Sequence, residues 1–143
     1  MGKAMRALGA GVLALAASAA QAGTAATWRC HNEVEVSCGA DGCSAAAEGG
    51  FTPMDLAFAD DGGLSLCAYS GCWEGNGQVL ARAPFLVISA TQLPWSDPHA
   101  DDAQRDVLVA FDPADRVALV KAGGWALPLQ CRPGRGQDDG DAG

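Results

Sequence analysis

Positive charge is scarce in this chain: nine Lys and Arg stand against seventeen Asp and Glu, for a net charge of −8. Lysine occurs only at Lys3 and Lys121. A surface so poor in basic residues cannot neutralise a phosphate backbone, so nucleic acid is not an expected partner. Histidine is scarcer still, with His31 and His99 alone. The chain has no Gly-x-Ser-x-Gly elbow, no His-Glu-x-x-His pair and no phosphate-cradling glycine loop, so no catalytic residue is assigned and no enzyme activity is expected. Nucleotide, flavin and haem signatures are missing too, and no cofactor or metal is expected. Cys-x-x-Cys is absent, which weighs against thiol exchange. Beyond the N-terminal segment, no stretch holds a helical period long enough to suggest a helix.

What is there begins with an address. Lys3 and Arg6 precede an alanine- and leucine-rich run from Leu8 to Ala20 that closes on Ala20-Gln21-Ala22. This is the pattern of a secretory signal peptide cleaved after Ala22. The run is shorter than the roughly 20 residues a bilayer span needs, and the first cysteine, Cys30, lies well beyond the cleavage point, where it is not placed to carry a lipid. The expected organisation is a signal peptide over 1–22, a single β domain over 23–131 and a disordered Gly- and Asp-rich tail over 132–143. Removing Lys3 and Arg6 leaves seven basic residues against seventeen acidic, a mature charge of −10. Such a charge keeps a periplasmic or secreted monomer dispersed and steers in a cationic partner.

All six cysteines lie beyond the signal: Cys30, Cys38, Cys43, Cys67, Cys72 and Cys131. An even number in a small exported domain reads as three disulfides, although spacing alone leaves their pairing open. Cys38-Gly-Ala-Asp-Gly-Cys43 and Cys67-Ala-Tyr-Ser-Gly-Cys72 share one spacing, each with glycine before the second cysteine. A glycine in so short a loop lets the chain turn back within disulfide distance. The expected set is therefore two local staples plus Cys30 with Cys131. A four-cysteine zinc site fits less well, because zinc pairs prefer tighter spacing.

The rest reads as strands. Trp28 to Val36 is expected as one half-buried strand, with Val34 and Val36 on one face and Glu33 and Glu35 on the other. Met54, Leu56 and Phe58 alternate in a second strand. Asp60-Asp-Gly-Gly63 turns the chain into Leu64 to Tyr69, the partner strand of a hairpin. Gly75-Asn-Gly77 is expected as another tight turn. Gln78 to Ala81 and Phe85 to Ser89 follow, and the unbroken apolar run Phe85 to Ile88 suggests burial on both faces. A polar loop spans Trp95 to Asp106. Val107 to Phe111 and Arg116 to Val120 flank the type I turn chemistry of Asp112-Pro-Ala-Asp115, and Gly123-Gly124 leads into Trp125 to Cys131. About six to nine short strands with turns between them indicate an all-β fold, a small antiparallel β-barrel or sandwich stapled by disulfides. The barrel is preferred because a bond from first to last strand suits a closed sheet.

The centre of the chain is the corner from Cys67 to Gly77. Trp28 and Trp125 are expected to pack in the core, whereas Trp73 and Trp95 lie in loop-like stretches where an aromatic contacts a partner. With Tyr69 and Glu74 they form the candidate binding surface. His31 is expected on a strand surface, and His99 stands among Asp97, Asp101 and Asp102 in a solvated acidic loop without the ordered spacing of a calcium site.

The Trp28-x-Cys30 start, the late Cys131, the Ser70-Gly71 turn and Lys121-Ala-Gly-Gly resemble the periplasmic and membrane-bound inhibitors of C-type lysozyme. That resemblance implies a small β-barrel with its terminal cysteines bridged, and Ser70 and Lys121 entering the active-site cleft of the lysozyme. The leading expectation is thus an exported, non-enzymatic, disulfide-stabilised β domain that binds a protein partner or small ligand through its central corner. Lysozyme inhibition is the alternative, and a thiol-disulfide redox protein the second alternative.

Overall fold

The computed structural model describes residues 24–97 and 104–134. The signal segment, His99 with Asp101 and Asp102, and the tail from 135 lie outside the described residues. Eleven antiparallel strands run in chain order: β1 (Thr27–His31), β2 (Val34–Gly39), β3 (Gly42–Ala47), β4 (Asp55–Ala59), β5 (Gly63–Ala68), β6 (Gly71–Asn76), β7 (Gln78–Ala81), β8 (Leu86–Leu93), β9 (Arg105–Asp112), β10 (Val117–Ala122) and β11 (Trp125–Pro133). They form one sheet in the order β6-β5-β4-β1-β11-β10-β9-β8-β7, with β2 attached to β11 and β3 paired to β2. The sheet closes where Trp73 of the end strand β6 bridges to Trp95, just past the end of β8. There the Glu74 N–H donates to Pro94 O at 3.2 Å and the Ser96 N–H to Cys72 O at 2.8 Å. The sheet is therefore a nearly closed barrel, and the sandwich alternative falls away.

Period-two patterning builds the core. Leu56 and Phe58, Leu64 and Leu66, and Val107, Val109 and Phe111 all point inward and are buried, each worth about 1.5–3 kcal/mol relative to exposure. Phe111 packs against Trp28 and Phe58 at ring-centroid distances of 4.5 and 5.1 Å. All three expected disulfides are formed: Cys30–Cys131, Cys38–Cys43 and Cys67–Cys72. Cys30 and Cys131 are register partners on β1 and β11. In the chain-entropy account a loop of about 100 residues contributes roughly 4.7 kcal/mol, against about 2 kcal/mol for each short staple.

Several local expectations change. The strand from Trp28 to Val36 divides into β1 and β2, which follow the same edge of β11 from Trp28↔Pro133 to Ser37↔Trp125. That is nine steps along one chain against eight along the other, so one residue is inserted. The irregularity sits at Asn32, a buried amide that is fully engaged: Nδ2 donates to Val34 O and Thr52 O, and Oδ1 accepts the Met54 N–H at 2.7 Å. Phe85 to Ile88 is not buried on both faces; Leu86 and Ile88 are buried while Phe85 is exposed, because nothing in the described fold covers the outer face of β8. At Gly75 to Gly77 the chain makes no hairpin. β6 continues to Asn76, and the Gly77 N–H donates to Gly62 O at 2.8 Å. Gly62, at φ +106°, presses on the Gly77 carbonyl where a Cβ has no room. The last strand runs through Arg132 and Pro133, past the expected start of the tail.

Candidate functional site

Residues far apart in sequence converge on one end of the barrel. The β5–β6 turn places Tyr69 and Ser70 at a hairpin tip, closed by Cys67–Cys72. Tyr69 is 77 % exposed, and its hydroxyl donates to Phe51 O at 3.3 Å. Just beyond the clamp, the Cys72 N–H donates to Ser96 Oγ at 2.9 Å. Trp95 is half-buried against Trp73 at 4.4 Å between ring centroids, and Trp73 lies 5.9 Å from Trp125. The Arg105 guanidinium sits over both, 4.9 Å from the Trp73 ring and 5.6 Å from that of Trp125. Lys121, on the outer side of β10, donates from Nζ to Gly123 O. Gly123 lies at φ +54° against the Arg105 guanidinium, where a side chain would collide with it.

The candidates divide by role. Tyr69 and Ser70 are exposed at the tip, Lys121 is exposed beside the β10–β11 turn, and Trp95 is half-buried at the seam. Trp73 corrects the loop expectation. At 6 % exposure it is part of the core wall, because the hairpin continues past the disulfide and sets Trp73 opposite Leu66. Glu74 faces outward on the same strand, its Oε1 accepting the Ser65 hydroxyl at 3.0 Å.

Arg105 and Glu35 carried no sequence signal. Arg105 looked like a loop residue, yet it begins β9 with the inward parity of Val107 and Val109. Trp73 Nε1 and Arg105 Nε are both buried without an acceptor. Glu35 occupied a solvent-facing position of an alternating strand, and only the fold brings Thr52 to it. Its carboxylate accepts the Thr52 N–H at 2.8 Å and the Ser37 hydroxyl at 3.3 Å. The Thr52 bond is the main reason its pKa lies below the ordinary carboxyl value, with Ser37 and Trp125 adding to the effect against a desolvation that opposes it.

A second feature lies on the outer face of β11, β1, β4, β5 and β6. One register row crosses these strands through Arg132, Arg29, Ala57, Ser65 and Glu74. His31, Asp55 and Cys67 form the next row. Between them opens a recess of about 580 Å³, continuous through Arg29, Ala57, Ser65 and Glu74 with a second of about 430 Å³. Ala57 and Ser65 make a shallow floor. His31, with Nε2 3.9 Å from Glu33 Oε1, is a strand-surface residue as expected. Cys67, Cys72 and Glu74 bring their ligand atoms within 4.8 Å of one another, but the two sulfurs are bonded to each other and offer no thiolate to a metal.

No family model matches the chain, and neither a curated protein nor a solved structure matches it.

Proposed function

We propose that the chain is an exported, non-enzymatic binding domain, acting in the periplasm or outside the cell, that engages a protein partner through the end of the barrel carrying Tyr69, Ser70, Trp95 and Lys121. One observation carries this reading. Among the described residues Tyr69 is the most exposed of the large apolar side chains, and it stands on a turn whose two strands are locked by Cys67–Cys72. An aromatic held out on a rigid support loses little conformational freedom on binding, which is the character of an interface anchor. The acidic chain favours a cationic partner. Placing a photoreactive amino acid at position 69 of the exported protein yields a discrete adduct with that partner, and the same probe at the exposed Ser44 yields none. Adducts at both positions, or at neither, count against the reading.

Lysozyme inhibition is the second reading, favoured by one placement: Ser70 on the β5–β6 turn and Lys121 near the end of β10, distant in sequence, lie at the same end of the barrel. Stoichiometric protein then abolishes turnover by a C-type lysozyme, and Lys121→Ala or Ser70→Ala restores it. Full turnover in the presence of excess protein removes this reading.

A further inference from the structure

We propose that the recess on the outer face of β11, β1, β4, β5 and β6 is a second binding site, separate from the hairpin tip. Its ligand is a short dipolar peptide, with its carboxylate on Arg29 and Arg132 and its ammonium end at Glu74.

The first argument is the arginine pair. Arg29 and Arg132 are register partners, and like charges directly opposite on a sheet are destabilising. Among the described residues neither has an acidic partner. Two arginines on register partners lining one recess, each a planar fork of donors, are suited to the two oxygens of a carboxylate. The like-charge cost then falls away when the ligand binds.

The second argument is the opposite bank. Asp55 and Glu74 also line the recess, and they weaken the hold on a simple anion. Discrimination built from one attractive and one repulsive charge selects a ligand with both signs. Glu74 is pre-positioned, because the Ser65 hydroxyl holds Oε1 and leaves Oε2 free to accept from an ammonium group.

The third argument is the floor. Only Ala57 and Ser65 stand between the two banks in that row. From β1 to β6 are three strand spacings of about 4.8 Å, or roughly 14 Å, which is the span of about four extended residues. The recess volume lies within the range of built ligand sites.

The test uses the mature, oxidised protein labelled with 15N and titrated with tetraglycine, N-acetyl-tetraglycine and tetraglycine amide. Tetraglycine gives saturable shifts at Arg29, Ala57, Ser65 and Arg132, and each blocked peptide binds about tenfold more weakly or worse. Arg29→Gln and Arg132→Gln each weaken tetraglycine by about tenfold or more. Glu74→Gln weakens tetraglycine while leaving the N-acetyl peptide unchanged. The thermal midpoint of Arg29→Gln holds or rises, because a like-charge pair is removed, so its lost affinity is not a lost fold. Equal binding of the N-acetyl peptide makes the recess a plain anion site and overturns the proposal. Equal binding of the amide, or no saturable shift at about 10 mM peptide, overturns it as well. The position-69 crosslink is read separately, so either site can fail without the other.

Discussion

Two hairpins in this barrel carry the same covalent device and came to opposite ends. Cys38–Cys43 closes β2 on β3 and Cys67–Cys72 closes β5 on β6, each across register partners with Cα atoms 4.1 and 3.9 Å apart. The pair just outside the disulfide is Ser37↔Ser44 in the first hairpin and Leu66↔Trp73 in the second. β3 is exposed at all but one position, whereas Leu64, Leu66 and Trp73 are buried in the barrel wall. A short disulfide therefore sets a turn and a register, and the neighbouring side chains decide whether the hairpin joins the core. The β2–β3 hairpin is held instead from its edge, by the Cys38 N–H bonded to Gly124 O at 2.7 Å and by Glu35 bonded to Thr52.

The sharpest break in that comparison comes at the matched pair of positions. Trp73→Ala removes the seam between β6 and Trp95 and costs about 3–5 kcal/mol of unfolding free energy. Ser44→Ala, at the equivalent place in the other hairpin, stays within roughly 0.5 kcal/mol. Urea denaturation of the two variants measures the difference directly. Equal losses would mean that the disulfides, not their neighbours, set the worth of each hairpin.

Next in size are the staples themselves. Chain entropy assigns both the same value, about 2 kcal/mol. That value appears in global unfolding only where the hairpin opens together with the core. Replacing Cys67 and Cys72 by alanine lowers global stability by about that amount. Replacing Cys38 and Cys43 leaves the global midpoint nearly unchanged and instead speeds amide exchange within β2 and β3. A matching global loss from the second replacement would make the outer hairpin part of the cooperative unit.

The smallest effect is electrostatic and confined to the outer hairpin. Glu35 has a depressed folded pKa, so its anchoring is complete above its ordinary pKa of 4.5 and is lost as the pH falls through the lower folded value. Acid thus loosens the Thr52 amide while the barrel around Trp73 stays protected. Glu35→Gln removes this pH dependence. Hydrogen exchange of the Thr52 N–H across that range reads it out, and an acid response that persists in the variant assigns the effect to another group.

Legibility followed the range of the interaction that decided each feature. The alternation of Met54, Leu56 and Phe58 announced an inward face, and all three are buried. The Asp60 to Gly63 and Asp112 to Asp115 turns stood out because their chemistry is local. The break at Asn32 was hidden, since it depends on Thr52 and Met54 arriving from another part of the chain. Phe85 misled for a related reason: an apolar run says nothing about which face will have a neighbour. Tyr69 and Glu74 were noticed for their place in the crowded corner. Arg29 and Arg132 were not, because charges separated so widely in sequence become a pair only when β1 lies along β11.

Composition and spacing alone determined the all-β class, the antiparallel turns and the cysteine spacing that set both local staples, because period-two burial and short loops act over a few residues. Tertiary structure alone decided that the sheet closes at Trp73 and Trp95, that Arg105 sits over the rings of Trp73 and Trp125, and that Arg29 and Arg132 stand across a shallow floor from Glu74. Those outcomes depend on which strands meet, and strand order is set by the burial of the whole chain rather than by any one segment of it.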